Sequence, residues 1–87
     1  MFVYLIIDIN NCLPKKIFHQ RENALSWLWF QLKDGKYTYW DDKAQRNKYI
    51  TSKYPYKKFL QLTDNEINQV CYDIYELHYL KIEDVIK

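Results

Sequence analysis

The two cysteines and two histidines are the residues of this chain best suited to hold a metal ion or to attack a substrate. They recur at one spacing: His19 follows Cys12 by seven positions, and His78 follows Cys71 by seven. Positions seven apart point to opposite faces of a strand, and on a helix they lie roughly 10 Å apart along the axis. Zinc motifs place paired ligands about two to five positions apart. The spacing argues against a zinc site, and Cys71 is predicted to be a core residue.

Other groups that could carry out catalysis are sparse. The neighbouring carboxylates Asp41–Asp42 and Glu83–Asp84 would point apart in regular structure, and both pairs lie among polar residues. Gly35 is the only glycine, which excludes a glycine-rich phosphate loop. A Cys–His nucleophile needs an orienting partner and an oxyanion hole, and no local motif supplies them. We therefore expect a protein that is not an enzyme and that uses no cofactor and no metal.

A basic–aromatic segment, residues 43–59, is the clearest functional signal in the sequence. Six of its side chains are cations and none is an acid, whereas residues 1–42 carry no net charge and residues 63–87 carry −4. Cations neutralise phosphates, and aromatic faces stack on unpaired bases. The candidate binding residues in and beside the segment are Trp40, Lys43, Arg46, Lys48, Tyr49, Lys53, Tyr54, Tyr56, Lys57 and Lys58.

Three interpretations of the basic–aromatic segment stay open at the level of sequence. It could be a solvated loop whose rings pack back onto the fold, a groove for RNA or single-stranded DNA, or a surface that docks on an acidic protein. Asp41–Asp42, next to Trp40, would repel phosphate there. The acidic residues Asp73, Glu76 and Glu83–Asp84 form either an ordinary exposed face or a contact for a basic site on another protein.

The elements that must position these residues begin with a strand. Residues 2–9 are apolar on both faces and rich in β-formers, which predicts a central strand. Residues 10–14 have turn chemistry, so residues 16–20 are predicted to return as the second strand of a hairpin. Residues 22–33 carry one apolar stripe and predict a helix, with Gly35 as its left-handed cap. The stripe consists of Ala24, Leu25, Leu28, Trp29 and Leu32.

Trp27 and Phe30 fall off this stripe, so they are either covered by a later segment or exposed as a partner surface. Residues 36–40 predict a further strand, and residues 59–62 are a candidate for another short one. An exposed edge at 36–40, or spare apolar surface around Trp27, would support a homodimer.

The C-terminal part of the chain allows two predictions. Thr63 and Glu66 form a capping box that opens a helix, and apolar residues at helical spacing extend this helix to about residue 80. The competing prediction is a short helix at 64–70 followed by a strand at 72–80, because the latter stretch is rich in β-formers. Residues 81–87 are either a last helical turn or a frayed end.

Together these patterns predict a single α+β domain over residues 1–87. A small antiparallel sheet, made of the N-terminal hairpin plus a further strand, packs with two helices in the order β-β-α-β-(β)-α. An aromatic content of 18% excludes a mainly disordered chain. The longest apolar run, Phe2–Ile7, is far shorter than the roughly 20 residues that cross a bilayer, so no membrane contact is expected. Two thiols without a leader sequence predict a cytoplasmic protein.

The composition also bears on origin and function. Ile, Asn, Lys, Tyr and Phe, which have A/T-rich codons, fill 39 of 87 positions, as expected for an A/T-rich cellular genome or for a phage or another virus. We predict a small accessory protein, phage or viral, that binds and inhibits a host nucleic-acid-processing or defence enzyme. Trp27 and Phe30 would add to the partner surface. The alternative is direct binding of RNA or single-stranded DNA through residues 43–59.

Overall fold

The computed structural model describes residues 2–81. In chain order, the elements are β1 (Phe2–Asp8), β2 (Leu13–Phe18), α1 (Arg21–Asp34), β3 (Thr38–Asp41), β4 (Arg46–Tyr49), α2 (Ile50–Lys53), α3 (Tyr56–Leu60), α4 (Asp64–Val70) and β5 (Tyr75–Lys81). The predicted α+β class is confirmed, although the described residues form four helices rather than two. The expectations for residues 82–87, including the Glu83–Asp84 pair, lie outside the described residues.

The main sheet has the strand order β2-β1-β5, and both pairings are antiparallel. The prediction that the first strand is central is therefore confirmed. Tyr4 pairs with Phe18 on one side and with Tyr79 on the other. Pro14, which has no N–H to donate, lies in the outer strand β2 beside an irregularity in the β1–β2 register, where a ladder tolerates it.

Helix α1 covers one face of this sheet with the apolar stripe seen in the sequence. Ala24, Leu25, Leu28 and Leu32 are at most 1% exposed, and Trp29 is half-buried. They form one core cluster with Ile6, Leu77 and apolar residues of the other helices. Removing this apolar area from water is the main force that holds helix and sheet together.

The end of α1 differs from the sequence prediction. Gly35 caps the helix in a right-handed conformation with φ −77°, and the left-handed residue is Lys36 with φ 54°. A Cβ at position 35 would lie 2.5 Å from a ring carbon of Tyr37, so a larger residue there would require the ring to shift. Glycine at this position therefore provides space for a ring rather than an unusual backbone angle.

The extension of the last helix to about residue 80 is wrong, and the competing prediction holds. The capping box of Thr63 and Glu66 is present, but α4 ends at Val70. Asp73 then takes a left-handed conformation with φ 67°, which no helix accommodates. The strand β5 follows, and its burial alternates along Tyr75–Leu77 as expected for a strand with one covered face.

The basic–aromatic segment, expected to be irregular, contains strand β4 and the short helices α2 and α3. Residues 59–62 do not form a strand, because Phe59 and Leu60 belong to α3. Ile50 and Phe59 are 5% and 0% exposed, so they anchor α2 and α3 in the core. Strand β3 pairs with β4 in a separate two-stranded hairpin and not with the main sheet.

Polar contacts tie the helices to one another and to the sheet. The Arg21 guanidinium donates to the carbonyl oxygens of Leu60 and Leu62 and to the Asp64 carboxylate. The Asn68 side chain accepts from the Leu77 N–H at 2.7 Å and donates to the Leu77 carbonyl at 3.1 Å, which joins α4 to β5. In the part of the chain described, no helix combines the length and apolar character needed to cross a membrane.

Candidate functional site

The β3–β4 hairpin sorts its side chains onto two faces. Thr38 pairs with Tyr49 and Trp40 with Asn47, and directly opposed residues point to the same side of a sheet. We call the side with Thr38, Trp40, Asn47 and Tyr49 the outward face. Trp40 is 55% exposed and Tyr49 is 52% exposed, and no residue on this face is acidic. Two large rings are thus available to an outside molecule on one short surface.

The inner face of the hairpin carries Tyr39, Asp41, Arg46 and Lys48. Lys48 Nζ lies 2.8 Å from Asp41 Oδ2, and Asp41 Oδ1 accepts hydrogen bonds from the N–H groups of Lys43 and Ala44. These bonds, the one from Lys48 foremost, hold the pKa of Asp41 below its usual value. Lys48 thereby neutralises the Asp41 carboxylate, which was expected to repel phosphate. Lys48 is itself one of the predicted binding cations, and this ion pair engages its charge.

A cavity of about 220 Å³ lies between the inner face of the hairpin, α2 and α4. Lys53 Nζ lies over the Tyr39 ring, 4.9 Å from its centroid, and 5.6 Å from the centroid of the Tyr54 ring. Lys58 Nζ lies 5.4 Å from the Tyr54 centroid. The cavity is lined by Tyr39, Ile50, Lys53, Tyr54, Glu66, Gln69 and Val70. It combines the aromatic rings of Tyr39 and Tyr54 with the ammonium groups of Lys53 and Lys58, which suits a flat ligand bearing a negative group.

Other rings of the segment hold the fold together. Phe59 is fully buried. Tyr56 hydrogen bonds through its hydroxyl to Ser26, and its ring lies edge-on to Trp29 with centroids 5.6 Å apart. Tyr56, predicted to bind a ligand, is therefore held against α1, and stacking a base on it would require breaking that packing.

The remaining predicted cations have different surroundings. Lys43 is exposed in the hairpin turn, and Lys57 is exposed on α3. Arg46 lies with Lys48, Tyr49 and Ser52 along a shallow groove beside β4. Arg46 belongs to the inner face but is exposed and lies beside Tyr49 in this groove, and Lys43 lies in the turn that joins the two strands. Lys53 and Lys58 accompany the cavity.

Trp27 and Phe30 do not form one surface. Trp27 packs edge-on against Tyr75 with centroids 5.4 Å apart and lies 6.4 Å from Phe18, so it points toward the main sheet. Phe30 is 49% exposed, and its neighbours are the rings of Trp29 and Tyr56.

Sequence reasoning missed the residues that complete the cavity. The sequence pattern places Tyr39 in a strand and gives Glu66 only the role of a helix cap. Alternation along residues 38–41 would have separated Tyr39 from Trp40. No local signal connects Gln69 to Tyr39, because they meet only when α4 packs beside the hairpin.

The cysteines and histidines lie in unrelated places. Cys12 is exposed in the β1–β2 turn, whereas Cys71 is buried at the end of α4, where desolvation raises its pKa to about 12. Glu76 lies on β5, where its Oε1 is 2.6 Å from His78 Nε2, and Asp73 lies in the turn before this strand. Neither acidic residue is on a helix, contrary to the prediction. Across residues 2–81, no group of three or more His, Cys, Asp or Glu side chains could hold a metal ion.

Comparisons with protein-family models, with curated proteins and with solved structures give no match to this chain.

Proposed function

We propose that this chain is a non-enzymatic protein that binds single-stranded nucleic acid on the outward face of its β3–β4 hairpin. The observation that carries the proposal is the pair of half-exposed rings, Trp40 and Tyr49, on one acid-free face. Both side chains sit on paired strands, so their backbone is ordered before a ligand arrives. Stacking an unpaired base on such a ring is worth roughly 1–3 kcal/mol and tolerates any base.

The charge around the hairpin favours nucleic acid over a protein partner for this face. From Lys36 to Lys58 the chain carries seven cations and two acids, and one of those acids, Asp41, is already paired. Lysine is depleted at protein–protein interfaces, whereas it is the usual neutraliser of phosphates. Lys43 and Arg46 are the exposed cations nearest the two rings along the chain, so we assign the phosphate contacts to them.

Binding of a labelled oligothymidylate of about 15 nucleotides, followed by fluorescence anisotropy at low salt, tests the proposal. Trp40→Leu removes a stacking ring, so we expect about 5- to 150-fold weaker binding. Phe2→Leu is the matched control. Phe2 is 47% exposed but lies on the main sheet, which the hairpin does not join, so its loss should change the affinity less than about twofold. An intact oligothymidylate affinity in Trp40→Leu, or no binding by the unaltered protein, would contradict the proposal.

A second candidate function is supported by Phe30. Its exposed ring is held edge-on by Trp29 at 5.2 Å and lies 6.2 Å from Tyr56, so it is ordered before any contact forms. Rigid, exposed aromatic anchors are typical of the residues that dominate protein–protein binding. We propose that Phe30 anchors a contact with a protein partner. In this role the chain is a phage or viral accessory protein that docks on a host nucleic-acid-processing or defence enzyme and inhibits it.

Co-purification from a nuclease-treated host lysate tests this second function. A stoichiometric partner should be retained by the unaltered tagged protein and by Phe2→Asp, and lost with Phe30→Asp. Retention of the partner by Phe30→Asp would show that Phe30 does not anchor the contact and would contradict this second proposal. We assign both functions to the cytoplasm, where reducing conditions keep Cys12 and Cys71 as free thiols.

A further inference from the structure

The cavity behind the hairpin has the size and walls of a site for one flat ring. Tyr39 and Tyr54 face a common ammonium group, that of Lys53, so their rings border the same space. Ile50 and Val70 add apolar wall, and the volume is about 220 Å³, smaller than the roughly 300–1,000 Å³ of sites for drug-sized ligands. The Lys53 ammonium lies over both rings, and its flexible four-carbon stem allows it to move aside.

A carboxylate at the rim limits which ring can enter. Glu66 Oε1 accepts the Thr63 N–H at 3.0 Å as part of the helix cap, which leaves Oε2 for a ligand. The Thr63 hydrogen bonds lower the pKa of Glu66, so the group is ionised at neutral pH and can only accept. The negative charge of Glu66 repels the phosphates of a nucleic acid, so a base can bind beside it only if the base donates N–H groups to the carboxylate.

We propose that the cavity holds a guanine base, with the remaining oxygen of Glu66, Oε2, accepting from both its N1–H and N2–H groups and with Lys53 and Lys58 contacting the attached phosphate. Among the four bases, guanine alone presents two adjacent N–H donors on its Watson–Crick edge. Adenine and cytosine place an acceptor next to their amino group, and uracil flanks its single N–H with carbonyls. Gln69 lies on the same wall and adds an amide that can pair with the O6 edge.

The inference deepens the proposed function, since it names a base preference for a protein proposed to bind single strands, and it rests on that function. Helix α2 joins the two surfaces: Ser52 lines the groove beside Tyr49, and the next residue, Lys53, lines the cavity. The groove beside Tyr49 and the cavity are therefore lined by consecutive residues of α2.

Titration of the full chain with free nucleotides separates the cavity from the hairpin. We expect 5′-GMP to bind about tenfold or more tightly than 5′-AMP or 5′-UMP and to shift the amide NMR signals of Glu66, Gln69 and Val70. Glu66→Gln keeps the helix cap, because glutamine serves at this position of a capping box, but it presents a donor in place of the free acceptor. This variant should lose the preference for GMP over AMP, whereas Phe2→Leu should keep it.

Two results would overturn the guanine site: equal binding of the three nucleotides, or a GMP preference that persists in Glu66→Gln. Oligothymidylate with and without one internal guanine then distinguishes the two proposals. Binding of both strands with equal affinity refutes the cavity assignment and leaves the hairpin function standing. A GMP preference in a protein that binds neither strand refutes the hairpin function and supports the cavity as a mononucleotide site.

Discussion

Tyr49 and Phe59 are rings of one short segment with opposite environments. Tyr49 projects from the outward face of the hairpin and is 52% exposed, whereas Phe59 is fully buried beneath α3. Tyr54 and Tyr56 are half-buried. Tyr54 borders the cavity, and Tyr56 is hydrogen bonded to Ser26 of α1. Residue type identified the segment, but the contacts of each ring decide whether it stabilises the fold or meets a ligand.

Replacing the two rings should therefore have opposite consequences. Phe59→Ala leaves a cavity in the core, and we expect it to lower the free energy of unfolding by about 3–5 kcal/mol in urea denaturation. Tyr49→Ala should lower it by less than about 0.5 kcal/mol and instead weaken oligothymidylate binding. A large loss of stability in Tyr49→Ala would mean that its ring supports the hairpin rather than a ligand.

The cations Lys43 and Arg46 should affect the salt dependence of binding more than its base preference. Each phosphate contact in a single strand contributes roughly 0.7 to the slope of log affinity against log salt concentration. Lys43→Gln and Arg46→Gln are each expected to reduce the slope by about that amount, measured between about 50 and 200 mM salt. Lys15→Gln, at an exposed position on β2, is the control and should leave the slope unchanged.

At the scale of elements, the junction between α1 and β3 sets where the hairpin begins. Gly35 leaves room for the Tyr37 ring, and Lys36 makes the left-handed turn. The Tyr37 backbone then bonds to both neighbours: its N–H donates to the Leu32 carbonyl, and its own carbonyl accepts from the Ile50 N–H. The start of β3 is thereby tied to the end of α1 and to the start of α2.

Gly35→Ala should disturb this junction. The added Cβ would meet the Tyr37 ring, and we expect a loss of about 1–3 kcal/mol in unfolding free energy by thermal or urea denaturation. Lys36→Gly is the matched comparison, because it relieves a left-handed lysine and should not destabilise the protein. A harmless Gly35→Ala would indicate that the Tyr37 ring moves aside freely.

The elements that the sequence predicted well are those that match a single template. The stripe of α1 fits a helix, the continuous run of apolar β-formers in β1 fits a covered strand, and both elements are present. The C-terminal region matched two templates at once: Ile67, Cys71 and Leu77 fit helical spacing, yet Tyr75 and Leu77 are buried at the spacing of a strand. The left-handed Asp73 decides between them: it is exposed in a turn that the Ile74 and Tyr75 N–H groups close by donating to the Cys71 carbonyl, a local feature that hydrophobic spacing does not encode.

The candidate site was predictable only in part, for a similar reason. Clustered cations and rings pointed to the stretch that contains β4 and part of the cavity wall. Which rings face outward depends on the β3–β4 register, and β4 has the sequence Arg-Asn-Lys-Tyr, which lacks any apolar alternation. The cavity requires α4 to pack beside the hairpin, so its carboxylate and amide lie more than ten positions from Lys53 along the chain.

At the scale of the whole molecule, one core joins the main sheet to all four helices. Ile6 and Leu77 of the sheet, Leu28 of α1 and Phe59 of α3 belong to a single cluster of buried residues. The hairpin contributes no fully buried residue to this cluster; its half-buried Tyr39 packs against the outside. The outward face can therefore be altered at Trp40 or Tyr49 without disturbing the core.

The two thiols should report on unfolding of this core. Cys12 is exposed and should react with a thiol reagent in the folded protein, whereas Cys71 should react only when the core opens. Burial raises the Cys71 pKa from 9.0 to about 12, so the folded state keeps a proton that the unfolded state loses. The unfolding free energy should accordingly fall as pH rises above about 9. Two thiols reacting at equal rates in native buffer would contradict the buried assignment.

The paired hydrogen bonds between Asn68 and Leu77 have a consequence for how copies of this protein behave at high concentration. Strand β5 lies at the border of the main sheet, where unpaired peptide groups would recruit a foreign strand and start intermolecular ladders. The Asn68 amide occupies the N–H and C=O of Leu77 in the manner of a neighbouring strand. A side chain from a helix thus covers one position of this edge and hinders the addition of a foreign strand there, in a chain rich in β-forming aromatic residues.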